Sequence, residues 1–109
     1  MINPKKLDKV MLDLGHPERC SGTGLLRQAV AMYDPRASLV KDLYPALAAA
    51  AGSTPARVER AMRHSIEVAW KRGDYGAQVE YFGCTVDPEK GRPTVGEYVA
   101  RVARICHDD

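Results

Sequence analysis

TPARVERAMRHSIEVAWKRG, residues 54 to 73, carries a helix start, a helix stop and an apolar stripe between them. Thr54 can cap a helix with its hydroxyl, Pro55 suits the first helical position because no amide hydrogen is needed there, and Gly73 supplies the stop. About twenty residues, roughly 30 Å at 1.5 Å per residue, are expected to be helical. Val58, Ala61, Met62, Ser65, Ile66 and Ala69 recur at helical spacing and collect on one side, which faces a core. Arg60, Arg63 and Glu67 fall on the opposite side, flanked by Glu59, His64 and Lys71, with Arg57 nearer the edge. That side faces solvent or a partner, and an ion pair between Arg63 and Glu67 is expected on it.

The residues just upstream narrow the choice. Leu47 to Ala51 is an alanine-rich helix former, Gly52 fits the left-handed position at its end, and Ser53-Thr54-Pro55 turns directly into the next helix. Ala48, Gly52 and Val58 have the spacing of a helix-turn-helix: a small residue lets the helices approach, glycine permits the turn, and valine packs back. The N-terminal half of the second helix then stands where a DNA major groove would lie. Arg60 and Arg63 can each offer two parallel donors to guanine O6 and N7, and Glu59 can accept from a cytosine amino group. Thr54, Arg57 and His64 are placed for phosphates, which fix register without reading sequence.

RVER-A-MRH-S-IEVAW-K-RG, with LYP at Leu43 to Pro45 and YFG at Tyr81 to Gly83, resembles the C-terminal effector domain of the stage-zero sporulation response regulator. The similarity runs from about Leu7 to Ile105 and is densest over residues 57 to 73. The resemblance implies an all-α domain whose residues at Glu59, Arg60 and Arg63 read bases of double-stranded DNA. It also implies head-to-tail homodimers on adjacent copies of a short box, and contact with a sigma subunit of RNA polymerase around Gly73 and Phe82. In that family a phosphorylated receiver domain drives dimerisation, so this chain is expected to be an excised effector domain or a free-standing relative. Two departures bear on affinity. Ala48 to Ala51 stands where the related regulators carry lysines, so binding is expected to be weaker and less salt-dependent, and Ala56 replaces a serine, so one polar contact at the helix start is expected to be missing.

A chain of 109 residues reads as one domain spanning 1–109, with 45% hydrophobic and 28% charged residues, ordinary for a soluble globular protein. The net charge of +2 is small but unevenly spread. Residues 1 to 52 carry seven basic against five acidic groups, 53 to 73 five against two, and 74 to 109 four against seven, giving +2, +3 and −3. Positive charge is thus concentrated on the proposed groove-facing helix. No run of about twenty apolar residues and no signal-peptide pattern is present, so a cytoplasmic protein without a membrane partner is expected. Cys20, Cys84 and Cys106 lack metal or disulfide spacing, and neither metal nor cofactor is expected.

The remaining helices are read from caps and stripes. Asn3-Pro4 starts a first helix with Leu7, Val10, Met11 and Leu14 inward, ending at Gly15, with Lys5, Lys6 and Lys9 solvated or on phosphate. Ser21 or Thr23 starts a second, with Leu25, Leu26, Ala29, Val30 and Tyr33 at helical spacing before Asp34-Pro35 stops it. The Cys20 to Gly24 glycines lack the lysine of a phosphate loop and are assigned to the angle at which that helix begins. Leu39 to Ala51 is expected to put Leu39, Val40, Leu43, Leu47 and Ala51 inward, with Pro45 either kinking the helix or restarting it. Tyr75 to Phe82 forms a short helix with Val79 and Phe82 inward, Cys84 to Pro93 is turn-rich and solvated, and Thr94 to Glu97 is a capping box opening the last helix. Trp70, Tyr44, Tyr81 and Phe82 are assigned to the core.

The fold class is therefore all-α, a compact bundle of about six helices containing a helix-turn-helix. His16, His64 and His107 share no ligand spacing, and no nucleophile or paired carboxylate suggests catalysis, so no enzyme activity is expected. The rival reading is a protein-interaction module of the same fold, supported by the low net charge and the lysine-free Ala48 to Ala51 run.

Overall fold

The computed structural model describes residues 2–83 and 91–107. In chain order these form α1 (Pro4–Asp13), α2 (Ser21–Met32), a π-helical turn (Leu39–Leu43) running into α3 (Tyr44–Ala51), α4 (Pro55–Arg72), α5 (Tyr75–Phe82) and α6 (Val95–Cys106), with no strand among the described residues. The radius of gyration is 12.9 Å, as a compact chain of about 100 residues should have. Asn3 accepts from the amides of Lys5 and Lys6 to cap α1, and Thr94 and Glu97 form the reciprocal capping box of α6. The chain ends are joined where the Asn3 amide donates to the Cys106 carbonyl at 2.8 Å.

Pro45 does not kink a continuous helix; the helix restarts around it after a π-helical turn. The Leu43 amide reaches back five residues to the Ser38 carbonyl and the Tyr44 amide five back to that of Leu39, so the hydrogen-bond ladder is shifted by one residue before proline's missing amide is reached. Pro45 then occupies the first turn of α3, where it needs no acceptor. The shift turns Val40 outward to 72% exposure, against the inward position that an unbroken α-helical count predicts. Ala51, also expected inward, is the last residue before the turn and is exposed. On α5 the buried set is Ala77, Tyr81 and Phe82, while Val79 is 48% exposed because Tyr81, not Val79, turns toward α1 and α6. The Tyr81 hydroxyl donates to Asp13 at 2.6 Å and its carbonyl accepts from Arg101 Nε at 2.8 Å, tying α5 to both neighbours.

α4 lies against α2, α3 and α6 with Val58, Met62, Ser65, Ile66 and Ala69 buried. Gly22 belongs to α2 itself, and a Cβ placed there would overlap the Ala61 carbonyl of α4, so its role is close helix approach. Ser65 has no exposure and is bonded into a buried polar chain. His16 Nδ1 lies 2.8 Å from Ser65 Oγ, Ser65 Oγ 2.9 Å from Thr23 Oγ1, Thr23 Oγ1 2.6 Å from the Pro17 carbonyl, and His16 Nε2 2.6 Å from the Tyr98 hydroxyl. The directions follow from counting protons. A carbonyl can only accept, so Thr23 donates to Pro17; Ser65 must then donate to Thr23, His16 Nδ1–H to Ser65, and Tyr98 to the bare Nε2. Neutral His16 in its Nδ1–H form thus links the α1–α2 turn to α2, α4 and α6.

Two stability predictions follow from this packing. Gly22→Ala is expected to push α2 from α4 and cost about 1–3 kcal/mol or more, read by urea denaturation; an unchanged midpoint would contradict the contact. Burial, and secondarily the Arg27 guanidinium, lowers the His16 pKa from 6.5 to about 4. The unfolded chain therefore gains a proton that the native chain refuses, so stability is full above pH 6.5 and falls by about 3 kcal/mol as pH drops to about 4. Denaturation midpoints between pH 7 and 4 should show this decline, and His16→Gln should flatten it; a level wild-type profile down to pH 5 would refute the assignment.

Candidate nucleic-acid interface

The outward side of α4 is built by the helix that the core fixes. Its N-terminus is capped as the sequence predicts, Thr54 Oγ1 accepting from the Arg57 amide at 3.3 Å, and its C-terminus ends at Gly73 with φ +66°. The Thr54 oxygen serves the cap while its hydroxyl hydrogen stays available to an acceptor outside the protein. Between α3 and α4, Gly52 adopts φ +63° and the Ser53 amide donates to Ala48 at 2.9 Å. Ala48 and Val58 are both buried across this corner, which is the connection expected of a helix-turn-helix.

Arg57, Arg60 and His64 are exposed, and their side chains make no hydrogen bond or ion pair among the described residues. Arg63 is also exposed but is paired differently from the sequence expectation. Its Nη1 stands 3.4 Å from both carboxylate oxygens of Glu59, one turn toward the N-terminus. Glu67 instead accepts from Arg92 Nη2 at 3.1 Å, so the segment before α6 covers that part of the helix. The N-terminal half, residues 54 to 64, is about 15 Å long and holds the exposed Arg57, Arg60, Arg63 and His64, while Lys71 and Arg72 are exposed at the other end of the helix. The N-terminal half carries three guanidinium groups against the one carboxylate of Glu59, at the helix end where unpaired amides add positive potential. Glu59 is half-buried beside Tyr44, whose phenol is raised in pKa first by burial and then by that carboxylate.

The neighbouring corner is uncharged. Ala49, Ala50 and Ala51 present exposed methyl groups. At the far end of α4, Gly73 is exposed, but Phe82 is 2% exposed and cannot itself meet a partner. Its ring packs edge-on against Trp70 at 5.2 Å and lies 5.6 Å from Tyr98, so it supports the α4–α5 corner from beneath. Of the three cysteines, Cys20 is half-buried, Cys106 is buried and Cys84 lies outside the described residues, as does the stretch from Cys84 to Lys90 of the expected solvated turn; Pro93 is buried. Among the described residues no group of His, Cys, Asp or Glu is placed to hold a metal ion, and no helix is long and apolar enough to cross a membrane.

The buried chain through His16 was not anticipated from sequence. Its one sequence signal is Ser65, the lone hydroxyl in an otherwise apolar stripe.

Residues 7–105 match the family described as Sporulation initiation factor Spo0A C terminal. With nearly the whole length covered, the chain belongs to that family.

Proposed function

We propose that this domain is a sequence-specific reader of double-stranded DNA, with the N-terminal half of α4 in the major groove. Membership of the sporulation initiation family supports a DNA-binding regulatory domain in general. The single observation that carries the finer reading is the outward, solvent-exposed placement of Arg57, Arg60 and Arg63 on a helix whose other side is buried. Arg60 and Arg63 donate in parallel to guanine O6 and N7, and Glu59 accepts from a cytosine amino group. Thr54, Arg57 and His64 meet phosphates on either side and set the register. Because α3 offers no lysine, these few groups carry most of the electrostatic attraction, and the salt dependence is shallow. The same reading places the domain in the cytoplasm. It has adjacent copies binding head to tail, and the exposed corner at Gly73, shaped from below by Phe82, facing a sigma subunit of RNA polymerase.

A selection from random duplexes followed by fluorescence titration tests this directly. Arg60→Ala or Arg63→Ala should each cost about 1–3 kcal/mol on the selected target and relax preference at one base pair, with thermal unfolding unchanged. Arg57→Ala should weaken all duplexes alike and reduce the salt slope by about 0.9. Failure to select any consensus, with a stable protein complex formed instead, would favour a protein-interaction module.

A further inference from the structure

Arg60 and Arg63 share a face but not an environment. Arg60 projects into solvent, whereas Arg63 has Nη1 at 3.4 Å from both oxygens of Glu59. The two partners are unequal: the Glu59 side chain is 32% exposed and that of Arg63 50%. We propose that Glu59 is a positioning residue for Arg63, holding its guanidinium plane outward for a guanine and keeping the group off the phosphate backbone. The inference rests on the reading of α4 as the base-reading helix.

The geometry supplies both halves of this role. A guanidinium has five N–H donors on three nitrogens; with Nη1 turned to the carboxylate, the edge formed by Nε and Nη2 remains, and that edge offers the two parallel donors that guanine O6 and N7 accept. Glu59 is the better-anchored member, half-buried at the α3–α4 corner beside Tyr44. As an exposed i,i+4 pair it adds little to stability. Its consequence lies in competition: an unpaired arginine binds any phosphate, while one already facing a carboxylate has lost most of that long-range attraction and keeps its directional hydrogen bonds. On a corner without lysines, where few contacts distinguish target from random DNA, this division makes Arg63 a specificity group beside Arg60 and leaves the sequence-independent attraction mainly to Arg57.

The test compares wild-type protein, Glu59→Gln, Arg63→Ala and the double variant on the selected target and on a random duplex, from about 50 to 200 mM salt. Glu59→Gln should lower the target-to-random ratio about tenfold, as loss of its own cytosine contact also would, and should in addition tighten binding to the random duplex and steepen its log–log salt slope by about 0.9, which loss of a base contact does not do. In the Arg63→Ala background the same change should leave the slope where it was. Glu67→Gln removes an equal charge further along α4, and an equal steepening by that variant would mean net charge alone is acting and would overturn the proposal. A Glu59→Gln slope and ratio matching wild type would overturn the positioning role alone. Absence of any target preference in wild-type protein would overturn the reading of α4 together with it.

Discussion

Gly22 of α2 meets the backbone of α4 at Ala61, and the depth of that contact determines how the long helix is seated. A side chain at residue 22 would hold the helices apart, lift Met62 and Ile66 from the core and change which residues face outward. Depth alone leaves a helix free to roll about its axis. The hydrogen-bonded chain from Tyr98 through His16 and Ser65 to Thr23 removes that freedom, because it has only one set of donor directions and each member is buried. A roll of α4 would strand a hydroxyl or an imidazole nitrogen without a partner, at a penalty of about 1–3 kcal/mol for each group.

With depth and rotation set, the outer face follows from helix periodicity. The core side of α4 takes Val58, Met62, Ser65, Ile66 and Ala69, so Arg57, Arg60 and Arg63 have nowhere to go but outward. Arg92 pairs with Glu67 midway along the helix, beyond the three arginines of its capped half. The charge on this surface is concentrated in three arginines. The adjoining helix end presents only alanine methyl groups, and residues 74 to 109 carry four basic against seven acidic groups. On the proposed DNA-reading role, recognition depends more on the geometry of individual guanidinium groups than on a broad positive field.

Helix boundaries, caps and the identity of the outer face of α4 were legible in the sequence because each depends on residues within a turn or two of one another. Asn3, Thr54 and Thr94 cap as their side chains allow, and Gly52 and Gly73 take the left-handed backbone their positions require. What was not legible depended on distant partners or on a shifted ladder. Val40 was misplaced because a π-turn accommodates Pro45 by adding a residue, which a uniform 3.6-residue count cannot foresee. Val79 was misplaced because Tyr81 finds Asp13, a residue 68 positions away. Arg63 pairs with Glu59, the acid-before-base i,i+4 order that a helix favours over Arg63–Glu67, whereas the Glu67 pair with Arg92 joins residues 25 positions apart.

If α4 reads DNA as proposed, the residues displayed by its seating are the ones that meet the duplex. An NMR titration of the protein with its selected duplex, followed through backbone amides and arginine Nε–H groups, tests it most directly. The largest shifts should fall on residues 54 to 64, including the side chains of Arg57, Arg60 and Arg63, with the outer side of α6 unmoved. Shifts concentrated on α5 and α6, with the arginine resonances of α4 unchanged at saturation, would contradict it.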